Sequence, residues 1–520
     1  MGSGIHKKVI VPNFDLEQKG RTTENYSGRD KGFSRNTNKS GQQVNLQDSD
    51  SNSFINIHGN VYGDINANPS SKTGEGDSIP EPVHPEPKVF GLNQLLLLIK
   101  DNEDWIRWLS CGVVFTSSLL ITISVITVRS VGILQQFELG AFDLLMRLRL
   151  NEAQDQRLLI VGINDDDIEK YKEYPLSDQK MLELLQKLEN PEYKPLVIGL
   201  DIFRDVPQAD KKNYEKLLQY LQQMQNIIGI CKLGNTGAEG VTPPKGISLE
   251  YRIGFSNVDD DDDEIIRRHP IWFSTEPTYP CQTIQSLSFL LADRFLKTAG
   301  YEFNLTQKPE EYIQYGSTII KHLRSELPVG SYQKLSEPIR GTQILLNYRA
   351  VDPVSQKVSL TDVLENKIKP EWVKDKIVLI GYTAEQVGDL FLTPYSDRES
   401  PKKRMPGVEV QAHMVSQILS AVLDKRPLLE FCPQWIENLC IWIWSLIGGG
   451  IAWFWRKKRY KKFAELGTAT FILCLLSYAL LHYGIWIPLV PSLLALVAAS
   501  AVLLNLRRIP NIINSSQQIK

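Results

Sequence analysis

Apolar residues along this chain gather in a few long runs and otherwise alternate with polar ones. Four runs, at 109–129, 434–455, 463–482 and 485–505, approach the ~20 residues a helix needs to cross hydrocarbon, and predict four membrane spans. The first is diluted by Thr116, Ser117, Ser118, Thr122, Ser124 and Thr127, whose hydroxyls can bond back to carbonyls of their own helix. Between 130 and 433 the pattern changes. Short β-branched runs at 158–163, 196–202, 227–231, 344–348 and 377–380 are separated by helical periods at 177–188, 212–225, 282–296 and 408–423. Near-continuous apolar strands imply helices on both faces, so this region predicts an α/β domain with a largely parallel or mixed sheet.

Charge sets the orientation. Arg456, Lys457, Lys458, Arg459, Lys461 and Lys462 form a basic loop between the second and third spans, which is retained in the cytoplasm,. The α/β region is then extracytoplasmic, and residues 1–88 and 506–520 lie inside a multi-pass protein of the plasma membrane. Trp435, Trp453 and Trp455 flank the second span, as rings at a headgroup layer do. Glu437 and Glu465 stand near span ends, where a carboxylate is expected to reach water.

Residues 1–88 are rich in Gly, Ser, Asn and Asp and poor in apolar residues, so they predict a disordered segment,. One island, 54–65, opens on Phe54, closes on Ile65 and alternates apolar with polar positions around glycines. It reads as a β-prone patch, incidental to a linker in the simpler reading and a short adhesive motif in the other. Residues 89–108 predict a juxtamembrane helix. With 58 Lys+Arg against 60 Asp+Glu, the average charge points to no nucleic acid,. Six cysteines show no C-x-x-C pair, which argues against a structural zinc,. Cys231 and Cys281 are the thiols well inside the oxidising compartment, and they are not expected to pair.

Polar residues at the strand ends mark the candidate chemistry. Ligands of open α/β sheets bind in the crevice outside the carboxyl ends of the strands. Asp165, Asp166, Asp201, Asp205, Tyr382, Thr383 and Asp389 are therefore expected to line a ligand crevice. No cofactor and no metal is expected there. The run Asp259-Asp260-Asp261-Asp262-Asp263-Glu264 reads as a solvated turn with Arg267 and Arg268 as surface partners.

Seven segments occur in a telling order: FDLLMRLRL from Phe142, LLIVGINDDDI from Leu158, VIGLDIFRD from Val197, IGFSNVDDDDDEIIRRHPI from Ile253, ILLNYRA from Ile344, KDKIVLIGYTAEQVGDLFLTPYSD from Lys374 and MPGVEVQAHMVSQIL from Met405. The series resembles the cyclase/histidine-kinase-associated sensory extracellular domain, type two. That resemblance implies a bacterial membrane sensor of an external signal, in a family whose members usually carry an output enzyme. No phosphate loop, catalytic His or nucleotidyl site is present, so the chain is expected not to be an enzyme and to signal through a separate cytoplasmic partner. The bilayer and an unknown extracytoplasmic ligand complete its expected partners. A membrane anchor that recruits effectors through the 54–65 motif is the alternative function. The sequence departs from the family where a Gly is usual before the Arg pair and Glu264 stands. Gln411-Ala412-His413 replaces the usual His-Ala-Asn, so a catalytic His is unsupported, and Tyr174-Pro175 replaces Trp-Pro-Trp.

Overall fold

A computed structural model describes residues 103–506, apart from 235–238, 274–277, 307–311, 324–327, 336–338, 340, 351, 397–403 and 456–457. The segment 1–88 with its island at 54–65, most of 89–108 and the tail beyond Leu506 lie outside the described residues.

Helix α1 (Glu103–Ser130) is continuous through the first apolar run. Its hydroxyls bond back as expected: Thr116 to Gly112 O, Thr122 to Ser118 O and Thr127 to Ile123 O, each at 2.8 Å. Helix α2 (Gln135–Arg147) follows after a short turn. The α/β domain then begins with β1 (Leu158–Ile163), α3 (Asp165–Tyr171), α4 (Asp178–Leu188), β2 (Val197–Leu200), α5 (Lys211–Gln223), β3 (Ile227–Cys231) and β4 (Ile253–Phe255). It continues through β5 (Arg268–Trp272), α6 (Leu287–Thr298), β6 (Thr342–Leu345), β7 (Gln356–Ser359), α7 (Leu360–Leu364), β8 (Ile377–Tyr382) and α8 (Gly407–Leu423). Polar side chains start most of these helices. Ser177, Asp210 and Ser286 each accept from an amide one turn into α4, α5 and α6, and Asn164 and Ser359 form capping boxes with Asp167 and Asp362,.

Six strands form one all-parallel sheet in the order β7-β1-β8-β2-β3-β4. Alternate strand residues feed two separate cores. Leu159, Val161, Ile198 and Val378 pack against α4, α5 and α7, whereas Leu158, Ile160, Val197 and Leu379 pack against α6 and α8. Covering both faces is what makes β1, β3 and β8 readable as unbroken apolar runs. Two assignments from the sequence change. The run at 344–348 does not join the parallel sheet; β6 pairs antiparallel with β5 outside it. Its residues are apolar because Leu345, Leu346 and Tyr348 belong to a third core shared with α2. Strand β7 lacks an apolar run because it is a sheet edge, with only Val358 fully covered.

Helices α9 (Gln434–Phe454), α10 (Arg459–His482) and α11 (Leu489–Leu506) end the described chain. Among the described residues three helical stretches, Cys111–Ser130, Gln434–Phe454 and Tyr460–His482, are long and apolar enough to cross a membrane. The fourth expected span is shorter, Leu489–Leu504. The reason is local: Ile485–Trp486 form a two-residue strand parallel to Glu430–Phe431, so the helix begins only at Leu489. Small residues bring α1, α9 and α11 together. Ser118 and Ser445 donate to each other's carbonyls, at 3.2 and 3.0 Å, and Gly448 lies against the Leu496 backbone where a Cβ has no room,.

Candidate functional site

The carboxyl ends of β1, β2, β3 and β8 open on one side of the sheet. Asp201 directly follows β2, and its amide donates to Ile380 O at 2.8 Å, which sets it beside the end of β8. Among the described residues its carboxylate has no hydrogen-bond donor. Burial, and then the charge of nearby Asp389, push its pKa up to about 8,. Asp389 lies in the segment after β8. Its carbonyl accepts from Gly407 N at 3.1 Å, and a Cβ on Gly407 would fall 2.6 Å from Asp389 Oδ2, so a side chain where α8 begins would push this carboxylate aside. Burial raises Asp389 too, with Lys232, just past β3, pulling the other way.

Thr383 sits beside these carboxylates' strand. Its amide donates to Ile163 O at 2.9 Å, while a Cβ on Gly162 would lie 2.6 Å from its Oγ1. That buried hydroxyl has no partner among the described residues, which is costly unless a ligand or water fills the role,. Tyr382 is occupied: its Oη accepts from Leu176 N at 2.9 Å and its ring meets the edge of Tyr174. Asp165 is also engaged, accepting from Glu385 N at 3.0 Å and Gln386 N at 3.4 Å. Asp166 points to solvent from the first turn of α3, and Asp205 contributes its backbone carbonyl to Tyr214 Oη. Asp201, Thr383 and Asp389 thus keep unspent bonding capacity at the ends of β2 and β8, while the free carboxylate of Asp166 faces solvent. One largely enclosed carboxylate, a second at the exposed rim and an unpaired hydroxyl suit a ligand that donates hydrogen bonds or carries positive charge,. Among the described residues no three His, Cys, Asp or Glu side chains converge as metal ligands would. Lys232 went unnoticed in the sequence, although its place at a strand end is the signal that marked Asp201.

A second polar centre joins this domain to the helices. Arg129, at the end of α1, is buried between Glu138 of α2 and Glu437 of α9, at 3.0 and 2.8 Å. It also donates to Gly330 O, and Ser331 donates to Glu138 at 2.8 Å. Glu437 therefore does not reach water as expected; α1, α2 and the 330–331 turn close over it. Five residues along α2, Asp143 meets Arg267, with paired contacts at 2.8 and 2.7 Å. Arg267 is fully buried and holds Asp261 and Asp263 as well, while Arg268 bonds Asp261 and Gln343. Tyr332 Oη donates to Asp261 at 2.9 Å. Burial opposes the charge on Arg267, but the carboxylates of Asp143, Asp263 and Asp261 outweigh it and raise its pKa. The predicted solvated turn with surface arginines is thus an internal ion network, because the acid run folds back over the Arg pair. The signal for it was the charge balance within a dozen residues, which surface pairing explained equally well.

Two further expectations resolve. Cys231 and Cys281 form a disulfide, with Cα atoms 5.6 Å apart, contrary to the expectation that they stay unpaired. A separation of 50 positions in the sequence hides that β3 and the approach to α6 lie side by side. His413 is buried against Tyr348, accepts from Arg349 N at 3.3 Å and has its pKa pushed down to about 3 by burial. It packs and caps, in keeping with its altered triplet.

No curated protein and no solved structure matches the chain. The CHASE2 domain profile does match, over residues 120–450, which is most of the described chain from within α1 to within α9. The parallel sheet and the strand-end residues described above lie within that match, which reaches into α1 and α9 and stops short of α10 and α11, and the chain belongs to the CHASE2 domain family of extracellular sensory domains.

Proposed function

We propose that this protein is a multi-pass membrane receptor, not an enzyme, whose α/β domain takes up an extracytoplasmic signal at the crevice of Asp201, Thr383 and Asp389. The signal passes through α2 to α1 and on to a separate cytoplasmic partner. In this reading α1, α9, α10 and α11 all cross, and the termini are cytoplasmic. The family supports an external domain, and a disulfide between Cys231 and Cys281 suits an oxidising compartment,.

The observation that carries the reading is the double attachment of α2. Through Asp143 it grips the ion network of the domain, and through Glu138 it grips Arg129 at the end of α1. A shift of the domain relative to α2 must strain or repack one of these buried contacts, and such networks have discrete arrangements. Glu138→Gln keeps the shape of the residue and removes its charge. We expect the full chain carrying it to fold and to change, by several-fold, the amount of a cytoplasmic protein recovered with it from its own membrane. If no cytoplasmic protein is recovered with either form, the receptor reading fails. Deleting 54–65 from the parent separates the alternative: recovery that depends on this island and not on Glu138 makes the protein an adhesive anchor.

A further inference from the structure

Helix α2 buries one side, where apolar and ion-paired residues mix, and leaves bare a second side that is apolar. Gln135, Glu138, Leu139, Phe142, Asp143, Leu145 and Met146 face inward. The opposite stripe carries Phe137, Leu144 and, just past the helix, Leu148, which are 64%, 51% and 59% exposed. Gly140 lies between them, with nothing within reach of a Cβ there. These positions recur every three to four residues, so they form one continuous face. Val131 and Ile133 before the helix and Leu150 after it extend the exposed apolar surface. A soluble domain rarely shows such a surface without a partner for it.

Position identifies the partner. The helix starts five residues after Ser130, where the apolar stretch Cys111–Ser130 ends. At its other end Tyr478 Oη, within the last turns of α10, bonds Leu148 O at 3.4 Å. Phe142 stacks on Trp486, in the loop joining α10 to α11, with ring centres 4.3 Å apart. Both ends of α2 therefore lie at the level where apolar helices stop. We propose that α2 is a membrane-interface helix whose Phe137, Leu144 and Leu148 sit in the outer-leaflet boundary between headgroups and acyl chains. The lipid at that boundary is then a direct ligand of the helix that holds Glu138 and Asp143. The inference rests on the reading of α1 and α10 as spans.

The test uses the full chain in nanodiscs of a zwitterionic phospholipid, with Cys111, Cys432, Cys440 and Cys474 changed to Ser and the disulfide kept. A nitroxide is placed in turn at Phe137→Cys, Leu144→Cys, Leu148→Cys, Leu475→Cys on the exposed side of α10, and Glu192→Cys in the exposed turn between α4 and β2. Collisions with oxygen report lipid, and those with a water-soluble nickel complex report solvent. The three α2 sites are expected to favour oxygen several-fold, as Leu475 does, with Glu192 the reverse. If the α2 sites behave like Glu192 while Leu475 favours oxygen, the interface helix is wrong and the spans stand. If Leu475 also favours nickel, the span reading itself is wrong. Dipolar broadening between labels at Phe137 or Leu144 would place a second copy on this face and overturn the lipid assignment.

Discussion

At the scale of single residues, the protein concentrates charge where it cannot be seen from outside. Asp261 is the centre of this economy: it accepts from Arg267, Arg268 and Tyr332 at once. Asp261→Asn takes from the buried Arg268 its carboxylate partner, while Arg267 keeps Asp143 and Asp263, which should cost about 3 kcal/mol,. Thermal unfolding of the full chain in detergent measures it, and a drop no larger than that of a surface Asp would show the network to be solvated. Asp201 makes a different prediction. Its folded pKa of about 8 exceeds that of an unfolded Asp, so between those values the native state holds a proton that the unfolded state releases,. Stability from this group is complete at low pH and lost as pH rises toward 8. Asp201→Asn should therefore matter little near pH 4 and stabilise the protein near pH 8.5, and an equal effect at both pH values would place Asp201 in open water. Glu264 is exposed and adopts φ 65°, the left-handed region in which glycine carries no Cβ penalty,. The family's Gly at this step was visible in the sequence as a departure; that the backbone keeps the glycine conformation was not. Glu264→Gly should raise stability by roughly 0.5–1 kcal/mol, since the relief of strain outweighs the added freedom of the unfolded chain. An unchanged or lower melting temperature would mean that the Glu264 side chain itself contributes.

At the scale of elements, legibility followed burial. Strands β1 and β3 and helices α4 and α8 were readable because covered elements must be apolar in a fixed period. Strand β7 was not, because an edge needs only one covered residue, and β5 was hidden because Arg268 and His269 are polar yet buried. Of the crevice, the strand-end carboxylates Asp201 and Asp389 stood out by position. Which of the seven candidate residues already had partners depended on loops returning from more than two hundred residues away, as Glu385 and Gln386 do to Asp165. The disulfide is of the same kind, tying β3 to the approach to α6 across fifty residues. Cys281→Ser in the full chain should lower stability by about 2–4 kcal/mol, read by chemical denaturation with and without reductant. Reductant should then have no further effect on the variant; if it does, another pairing is in play.

For the whole molecule, the informative feature is the smallest sheet in it. Glu430–Phe431, where the domain hands over to α9, pairs with Ile485–Trp486, between α10 and α11, and Glu430 N donates to Gly484 O at 2.7 Å. Backbone bonds cannot reach through a bilayer, so if α9 and α10 are spans, the point where the chain leaves the domain and the point after α10 share one face of it. The path from one to the other must then cross an even number of times, which in the proposed topology is once down α9 and once back up α10. Parity fixes the rest. If α1 and α11 also cross, Glu103 and Leu506 both stand on the face opposite the domain, and this follows from two residues of strand without reference to any charged loop.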